Sequence, residues 1–293
     1  MQVSTIVPTL NAEPYLAWLL DSLLAQTIET EIIVIDSSSD DHTAQIARTY
    51  GDRVCLYTIP RASFDHGATR DYALRQATGD FICFLTQDCL PCAVNSLEQL
   101  LTAFEDPAVA AAFGRQIAPS DMPAYEQLTR AYNYPDQSYV WQESDIANRG
   151  VKGYFFSDAF SAYRRNAYEA VGGFDTPVAA SEDMLMAAKL LHAGYSLAYV
   201  AEAKVYHAHH YRLRKEYSRY SAIGYVMRKY QDRLEGGSDA APEGLHMVQS
   251  VCRELLHSGH AMQVPAFLAH VVVRLIGNQM GSRAAKRDLR RSP

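Results

Sequence analysis

Several features that would define a protein class are missing from this 293-residue chain. It has no G-x-G-x-x-G turn, and this absence disfavours a NAD-type dinucleotide site. No recognisable nucleic-acid-binding module occurs, so nucleic acid is not an expected partner. The longest apolar stretch, about residues 264–276, contains His270 and Arg274 and is shorter than the ~20 residues that a spanning helix needs. We therefore expect no transmembrane segment.

Cysteine is also scarce, with five residues and hence an odd number. No obvious disulfide framework results, so we expect a reducing, cytoplasmic compartment. Cys89 and Cys92 have the spacing of a redox or half-zinc motif. Because the chain contains no second such pair, we expect neither role.

The formal net charge is −6, but basic residues are concentrated in the carboxyl-terminal third, at 212–233 and 283–293. Such an asymmetry fits a surface that meets anionic lipid or an anionic acceptor. A solvated helix face is the commoner origin of the same pattern.

In the first 115 residues, apolar runs alternate with segments whose apolar residues recur with helical spacing. Strands are predicted at 3–7, 31–36, 54–59 and 81–85, with helices between them. Such alternation predicts right-handed βαβ crossovers and a mostly parallel sheet flanked by helices. Residues 1–115 are therefore expected to form the nucleotide-binding half of an α/β domain.

The apolar run at 81–85 is the expected central strand, and Thr86-Gln87-Asp88 follows it directly. The carboxyl end of such a strand is where open α/β sheets bind ligands. A carboxylate held there suits a divalent cation that carries a phosphorylated substrate. The alternative is that Asp88 simply caps a turn or a helix.

The middle of the chain is less regular. Residues 121–150 are rich in Tyr, Asn, Asp and Gln and lack a period, so they predict a long loop. It contains aromatic rings between 125 and 141. Further on, Ser181 is the expected cap of a helix whose first turn contains Glu182 and Asp183.

A last strand is predicted at 195–205 and leads into two histidines. On an extended chain His207 and His209 face the same side. Residues 116–213 are expected to complete the domain that residues 1–115 begin. Residues 214–293 are then expected to form a helical region with a basic tail.

Six short motifs follow one another between residues 3 and 213. They are Ile6-Val7-Pro8-Thr9-Leu10-Asn11, Ile33-Val34-Ile35-Asp36-Ser37-Ser38-Ser39-Asp40, Ala77-Thr78-Gly79-Asp80, Thr86-Gln87-Asp88, Gly172-Gly173-Phe174-Asp175 and Glu182-Asp183. In this order they resemble the inverting nucleotide-sugar glycosyltransferases of family 2. The resemblance implies an α/β GT-A fold with a C-terminal helical extension.

Three segments narrow the resemblance within that family. Residues 64–70 (FDHGATR), 86–88 (TQD) and 206–209 (YHAH) look like the bacterial rhamnosyltransferase branch. This branch implies transfer of L-rhamnose from dTDP-L-rhamnose to a saccharide or lipid-linked glycan in the synthesis of a cell-surface polysaccharide such as O-antigen.

Three positions depart from the family pattern. Ser37 stands where many UDP-sugar enzymes have a second Asp that binds uracil, which argues against a UDP pocket. Thr86 replaces the first Asp of the D-x-D metal motif and leaves Asp88 to hold the metal. Asp71 stands where the family usually has Asn, and the sequence offers no interpretation of it.

The resemblance also implies roles for the carboxylates. Asp183 is placed as the general base that activates the acceptor hydroxyl, and direct attack with one base inverts the anomeric centre. Asp88 is expected to hold Mg²⁺ or Mn²⁺ with His209 as a second ligand, and a hydrogen-bonded strand-end histidine is the alternative for His209. Asp158 and Glu182 are expected on the acceptor side, in the acceptor half formed by residues 116–213. The aromatic rings between 125 and 141 are further candidates there, because flat rings can pack on sugar faces.

The donor is expected to contact the ends of the first strands and the start of the helix that follows residue 65. The expected nucleotide-sugar-binding residues are Pro8, Thr9, Leu10, Asn11, Asp36, Ser38, His66, Arg70, Gln87 and Asp88. Arg70 can donate hydrogen bonds to the base or the diphosphate. Its alternative is a surface arginine paired with Asp65 or Asp71.

Other functions stay open from the sequence. The chain could use another UDP- or GDP-linked sugar, or could bind a nucleotide sugar without catalysis. A nucleotidyltransferase is a further alternative, although its glycine- and arginine-rich loop is missing. The segment at 264–276, with the basic residues beyond it, could contact a membrane peripherally or could pack on the catalytic domain.

Overall fold

The computed structural model describes residues 1–207, 212–235 and 241–291, with the side chains of residues 241 and 242 excepted. The strands in this part of the chain are β1 (Val3–Thr9), β2 (Glu31–Asp36), β3 (Val54–Thr58), β4 (Phe81–Leu85), β5 (Leu90–Pro91), β6 (Val109–Ile117), β7 (Tyr139–Trp141), β8 (Phe160–Arg164) and β9 (Ser196–Tyr206). The α-helices are α1 (Leu16–Leu24), α2 (Thr43–Thr49), α3 (His66–Gln76), α4 (Ser96–Leu101), α5 (Ala124–Asn133), α6 (Ile146–Arg149), α7 (Arg165–Ala170), α8 (Glu182–His192), α9 (Leu213–Lys229), α10 (Ala241–His257) and α11 (Val264–Leu289).

These strands form one sheet in the order β3-β2-β1-β4-β8-β6-β9-β5, with β7 paired to β9. The first four are parallel to one another, which confirms the predicted βαβ half. Along β1, Ile6 packs into the core on one face and Val7 into the core on the other. Phe84 and Leu85 alternate in the same way on β4. Both faces of these strands are buried, and β4 is accordingly an unbroken apolar run, whereas β1 also buries Ser4 and Thr5.

The other half of the sheet is mixed. β8 runs antiparallel to both β4 and β6, and β5 and β7 run antiparallel to β9. Only β6 and β9 are parallel there. The expectation of a mostly parallel sheet therefore holds for the amino-terminal half alone, because an apolar run indicates a buried strand but not its direction.

Residues 121–150 are not an irregular loop, since they include α5, β7 and α6. Tyr125 packs with residues of the carboxyl-terminal helices, and its ring centroid lies 6.1 Å from that of Phe267. Trp141 is 2% exposed and donates from Nε1 to the carbonyl of Gly153 at 2.8 Å. The prediction that these two rings face an acceptor is wrong, because both are packing residues.

α9 and α11 pack against each other at very close range. Gly224 on α9 faces the backbone of Asn278 on α11. On α11, a methyl group added at Gly277 would lie 2.7 Å from the carbonyl oxygen of Tyr217, and one added at Gly281 would overlap α9 more severely. The two helix backbones can approach this closely only because glycine has no side chain.

A buried carboxylate joins the same two helices. Glu216 on α9 accepts a hydrogen bond of 2.5 Å from Arg274 Nε and lies 2.5 Å from His270 Nδ1. Its side chain is 3% exposed, so this charge is paired inside the helix interface. The face of α11 that carries His270 and Arg274 is therefore a packing face.

The helix over residues 261–289 is long and apolar enough to cross a membrane, by length and composition. The prediction that the apolar stretch is too short is wrong, because α11 continues to Leu289. Only 11% of its most apolar 18-residue stretch is buried. One such helix is weak evidence for a membrane span, since it also packs on α9.

Candidate active site

The carboxyl ends of β1, β2 and β4 meet at one edge of the sheet. Thr9 lies opposite Asp36 in the parallel register, and its hydroxyl donates to Asp36 Oδ1 at 3.2 Å. The backbone N–H of Leu10 donates to Gln87 Oε1 at 2.8 Å, and Gln87 Nε2 donates to the Leu10 carbonyl at 3.2 Å. These bonds tie the end of β1, after the half-buried Pro8, to both neighbouring strands.

Asp36 is buried, and its carboxylate is engaged by the loop that follows it. It accepts hydrogen bonds from the backbone N–H of Ser39 at 3.0 Å and from the Ser39 hydroxyl at 2.5 Å. Asn11 accepts from the backbone N–H of Asp40 at 2.9 Å, so it braces this loop and does not cap α1. Asn11 and Ser38 both have positive φ angles and are exposed at this edge of the sheet.

Asp88 and His207 are brought together by the short strand β5. After β4 the chain turns, and β5 pairs antiparallel with β9 so that Leu90 lies opposite Tyr206. Cys89 and His207 are the next residues along the chain beyond this pair. His207 Nε2 lies 3.5 Å from Asp88 Oδ1. The ligand atoms of Asp88, Cys89 and His207 all lie within 4.8 Å of one another.

Gln116, at the end of β6, orients the imidazole ring of His207. Its Oε1 lies 2.7 Å from His207 Nδ1 and also accepts a hydrogen bond from the Arg130 guanidinium. Because a guanidinium only donates, the atom that faces it is the amide oxygen, and Nδ1 must donate to that oxygen. In the neutral ring Nε2 then carries the lone pair on the side of Asp88. A metal-ligating histidine is held in this way by a hydrogen bond from its other nitrogen.

The donor set at Asp88 and His207 fits a divalent cation. The 3.5 Å separation is longer than a normal hydrogen bond and close to the roughly 3–3.4 Å between two ligands of one cation. The predicted second ligand, His209, lies outside the described residues. Among the described residues, the histidine beside Asp88 is His207, which was not one of the predicted metal ligands. No other group of three potential metal ligands lies close together in the described ranges.

Arg70 is buried among carboxylates. Asp65 caps α3 by accepting from two backbone N–H groups of its first turn, at 3.1 and 2.9 Å. Arg70, one turn further on, donates from Nη1 to Glu182 at 3.1 Å, and its Nε lies 3.9 Å from Asp158. The alternative of a surface arginine paired with Asp65 or Asp71 is wrong. Arg70 instead joins α3 to the acceptor half.

Asp158 and Glu182 are buried around this arginine. Asp158 accepts hydrogen bonds from the hydroxyls of Ser161 and Tyr163, each at 2.7 Å. Burial raises the pKa of Asp158, and the charge of Arg70 offsets part of that rise. Asp158 is 2% and Glu182 7% exposed, and both remain candidates for the acceptor side. Their observed contacts suit a positioning role.

Asp183 lies in the first turn of α8 and is half-buried. Its Oδ1 accepts from the backbone N–H of Met184 at 2.8 Å, and its Oδ2 accepts from that of Asp158 at 3.4 Å. Burial raises the pKa of Asp183 well above its ordinary value, and the charges of Glu182 and Asp158 raise it further. A partly accessible carboxylate with a raised pKa is suited to accept a proton from a hydroxyl.

Ser181 occupies the residue before α8, but its side chain makes no capping hydrogen bond. The prediction of a serine cap is therefore wrong. Ser181 has a φ of 59°, in the left-handed region, which costs a residue other than glycine about 1–3 kcal/mol. Such backbone strain is found most often beside functional residues, and Asp183 lies two positions further on.

His66 is the first residue of α3 and lies on the exposed side of the carboxylate cluster, which consists of Asp158, Glu182 and Asp183. Its Nδ1 lies 3.9 Å from Glu182, and its ring meets the edge of Phe64 at a centroid distance of 4.9 Å. About half of the His66 side chain is exposed, at 49%. A ligand at this edge can therefore reach His66 more easily than the buried Arg70.

Asp71, which the sequence left without an interpretation, holds the Gly-Gly-Phe-Asp turn. Its carboxylate accepts from the Tyr168 hydroxyl and, at 3.3 Å, from the backbone N–H of Phe174. Gly173 has a φ of 68°, and a Cβ there would lie 2.9 Å from Asp71 Oδ1. These partners lie 97 and 103 positions away, so no local pattern could reveal them.

Residues 4–172 match the family described as Glycosyl transferase family 2. This chain belongs to that family and is a glycosyltransferase.

Two relatives are similar over nearly the whole chain. The O-antigen chain rhamnosyltransferase WbaN of Salmonella anatum is 38% identical over 282 residues, which cover 94% of this chain and 88% of the relative. The O-antigen chain rhamnosyltransferase RfbN of Salmonella typhimurium is 35% identical over 285 residues, which cover 96% and 90%. Both similarities support a rhamnosyltransferase-like member of the family.

Solved structures share the fold. The mannosyltransferase PcManGT from Pyrobaculum calidifontis, in complex with GDP-Man and Mn²⁺, has a TM-score of 0.63 at 20% identity and covers 95% of this chain and 87% of its own. Residues 1–349 of Staphylococcus aureus TarS, in complex with UDP, have a TM-score of 0.58 at 17% identity and cover 98% and 92%. These similarities confirm the predicted GT-A fold.

Proposed function

We propose that this enzyme transfers L-rhamnose from dTDP-L-rhamnose to a saccharide or lipid-linked glycan acceptor, with inversion at the anomeric carbon. The observation that carries the proposal is the similarity, over more than nine-tenths of the chain, to two enzymes named O-antigen chain rhamnosyltransferases. Ser37 supports the choice of base, because this buried hydroxyl offers no carboxylate to a uracil ring.

The donor would lie across the ends of β1, β2 and β4. The exposed backbone and side chains of Leu10, Asn11 and Ser38 are the groups we assign to the base and the ribose. Asp36 keeps their loop in place through its bonds to Ser39. His66, which is half-exposed beside the carboxylate cluster, is the donor group we assign to the diphosphate.

Asp183 is the residue we assign as general base. Its carboxylate would take the proton of the attacking acceptor hydroxyl, and a raised pKa matches it to that task near neutral pH. Arg70 would hold Glu182 and Asp158 in place around it and limit the repulsion among the three carboxylates. Attack assisted by one base, on the face opposite the leaving diphosphate, inverts the anomeric configuration.

Asp88 and His207 would hold a divalent cation, Mg²⁺ or Mn²⁺. When bound, such a cation neutralises charge on a diphosphate leaving group. Gln116 would keep Nε2 of His207 available by accepting a hydrogen bond from Nδ1–H. Gln87 would hold the Asp88 turn against the end of β1.

A donor screen tests this function before the acceptor is known. The melting temperature of the chain is measured with Mg²⁺ and either dTDP-L-rhamnose, a UDP-sugar or a GDP-sugar. A donor at 100 times its Kd should stabilise the folded state by about 2.7 kcal/mol. Stronger stabilisation by a UDP- or GDP-sugar would overturn the dTDP-L-rhamnose assignment. Binding with neither transfer nor slow hydrolysis of the donor would indicate a non-catalytic module.

A second part of the proposal places the enzyme at the cytoplasmic face of an anionic membrane, where a lipid-linked acceptor is reached. In the predicted helical region, residues 214–293, helix α11 has an exposed surface opposite the face that packs on α9. Its apolar members are Leu268, Val272, Leu275 and Ile276, and its basic members, further along the same face, are Arg283, Lys286, Arg287 and Arg290. An apolar stripe that runs into a basic one can lie in a membrane interface. One face of α11 then packs on α9, and the opposite face contacts the membrane.

Vesicle flotation at low and high salt tests this surface. The full chain should float with anionic vesicles at low salt, since each basic residue near the surface contributes about 1 kcal/mol that salt screens. The double variant Val272→Ser/Leu275→Ser should float less. Trp18→Ser, which removes a 71% exposed apolar side chain on α1, is the matched control. Equal flotation of the double variant and wild type would overturn the membrane contact.

A further inference from the structure

We infer, on the basis of the proposed function, that the sulfur of Cys89 is a third protein ligand of the cation held by Asp88 and His207. The site should consequently prefer divalent ions that bind sulfur, such as Cd²⁺, Zn²⁺ and Co²⁺, to Mg²⁺. The Cys-x-x-Cys spacing carries no part of this inference, because Cys92 is not a member of the cluster.

The first support is the strand register. Leu90 pairs with Tyr206 and Pro91 with Val205, and Cys89 and His207 are the next residues along the chain beyond these pairs. Neighbouring residues on paired strands are held within side-chain reach of each other. The pairing of β5 with β9 therefore brings the backbone at Cys89 near the backbone at His207.

The second support is the position of the sulfur atom itself. The Sγ of Cys89 lies within 4.8 Å of ligand atoms on both Asp88 and His207. Thr86 donates a hydrogen bond from its hydroxyl to this sulfur at 3.2 Å, and its carbonyl accepts from the Cys89 N–H at 2.9 Å. Burial raises the pKa of the Cys89 thiol, and the hydrogen bond from this hydroxyl offsets part of that rise. Cys89 is 1% exposed, so the ligand is shielded from oxidants and from other thiols.

The chemistry of the donor set then determines which cations are preferred. One carboxylate oxygen, one imidazole nitrogen and one thiolate form a mixed set of the kind that Zn²⁺ takes in proteins. Mg²⁺ binds oxygen ligands and gains little from sulfur, whereas Co²⁺, Zn²⁺ and Cd²⁺ gain much. On binding, the metal–sulfur bond replaces the S–H bond, and the thiol proton is released to solvent.

The test uses the full-length chain and the metal alone. Co²⁺ added to the wild type should produce a sulfur-to-cobalt charge-transfer band in the near ultraviolet. The Cys89→Ser variant should lack this band, while Cys92→Ser, the matched control three positions away, should retain it. A wild type without the band, or a Cys89→Ser variant that keeps it, would overturn the inference.

Competition between metals gives a second, independent readout. Cys89→Ser should weaken Cd²⁺ binding by about 10–100-fold and leave Mg²⁺ binding within about twofold. Equal losses for both ions would indicate a structural effect and overturn the inference. If Cys89→Ser does not fold, cadmium NMR of the wild type decides, because a directly bound sulfur moves the cadmium resonance strongly.

This result is separable from the proposed function. If the band is absent while transfer still requires Mg²⁺ or Mn²⁺, the inference about Cys89 fails and the proposed function stands. If transfer is equally fast after exhaustive chelation, the metal part of the proposed function fails whatever the spectrum shows.

Discussion

Arg70 donates a hydrogen bond of 3.1 Å to a carboxylate oxygen of Glu182, 112 positions further along the chain. The two side chains are 5% and 9% exposed, so this is a buried ion pair. It joins α3 to the first residue of α8 and lies beside Asp183. Removing one partner of such a pair leaves an uncompensated buried charge, which costs more than the pair contributes when it is intact.

Arg70→Met should therefore destabilise the chain by about 3–5 kcal/mol, measured by urea unfolding. Arg61→Met is the matched control, because Arg61 pairs with Asp40 at 2.8 Å where both side chains are exposed. The control should lose about 0–1 kcal/mol. Equal losses in the two variants would show that the Arg70 pair is not buried as described.

Asp183→Asn should lower the rate of transfer by about 10²–10⁴-fold, because the amide keeps the shape of the side chain but cannot accept the proton. Stabilisation by the donor should be unchanged, since the assigned donor contacts lie elsewhere. Asp121→Asn, an exposed change within the same region, residues 116–213, should transfer at the wild-type rate. Near-normal turnover by Asp183→Asn would remove it as the base.

The value of kcat/KM should rise with pH through the raised pKa of Asp183. The base must be ionised, and its pKa lies above the ordinary carboxyl range, so activity is lost on acidification earlier than for a typical Asp. Glu182→Gln removes a negative charge that raises this pKa and should move the inflection to lower pH. A pH–rate profile that does not move in Glu182→Gln would contradict this coupling.

Asp88→Ala and His207→Ala should each abolish the additional donor stabilisation that Mg²⁺ or Mn²⁺ provides. Gln116→Leu should reduce metal affinity by about 10–100-fold, because His207 loses the acceptor that orients its ring. His257→Ala, at an exposed position on α10, should behave as wild type. Metal-dependent stabilisation that survives in both Asp88→Ala and His207→Ala would contradict the assignment of these ligands.

Gly281→Ala should destabilise the packing of α9 and α11, because the new methyl group meets the carbonyl of Ser221. Overpacking of this kind costs about 1–3 kcal/mol. Gly244→Ala, on α10 with nothing within 4 Å of the added group, should stabilise that helix by about 0.5–1 kcal/mol. The unfolding free energies of the two variants check the prediction, and a neutral Gly281→Ala would show that the helices are further apart.

The local sequence pattern was sufficient to predict the strands in the amino-terminal half of the molecule. Apolar runs predicted β1 to β4, most directly β2 and β4, which are buried on both faces of the sheet. The position of Asp88 after β4 and of Asp183 in the first turn of α8 could likewise be read from the order of the motifs. These features depend on neighbours in the chain, and a sequence records those directly.

Contacts between distant residues were decided only by the tertiary structure. The antiparallel direction of β8 and the pairing of β5 with β9 depend on how the chain returns to the sheet, and this return brings His207 to Asp88. The burial of Arg70 against Glu182 and the bonds of Asp71 to Phe174 join segments about a hundred positions apart. Charged side chains acquire such roles when packing removes water and leaves each one a specific partner. No local spacing specifies those partners.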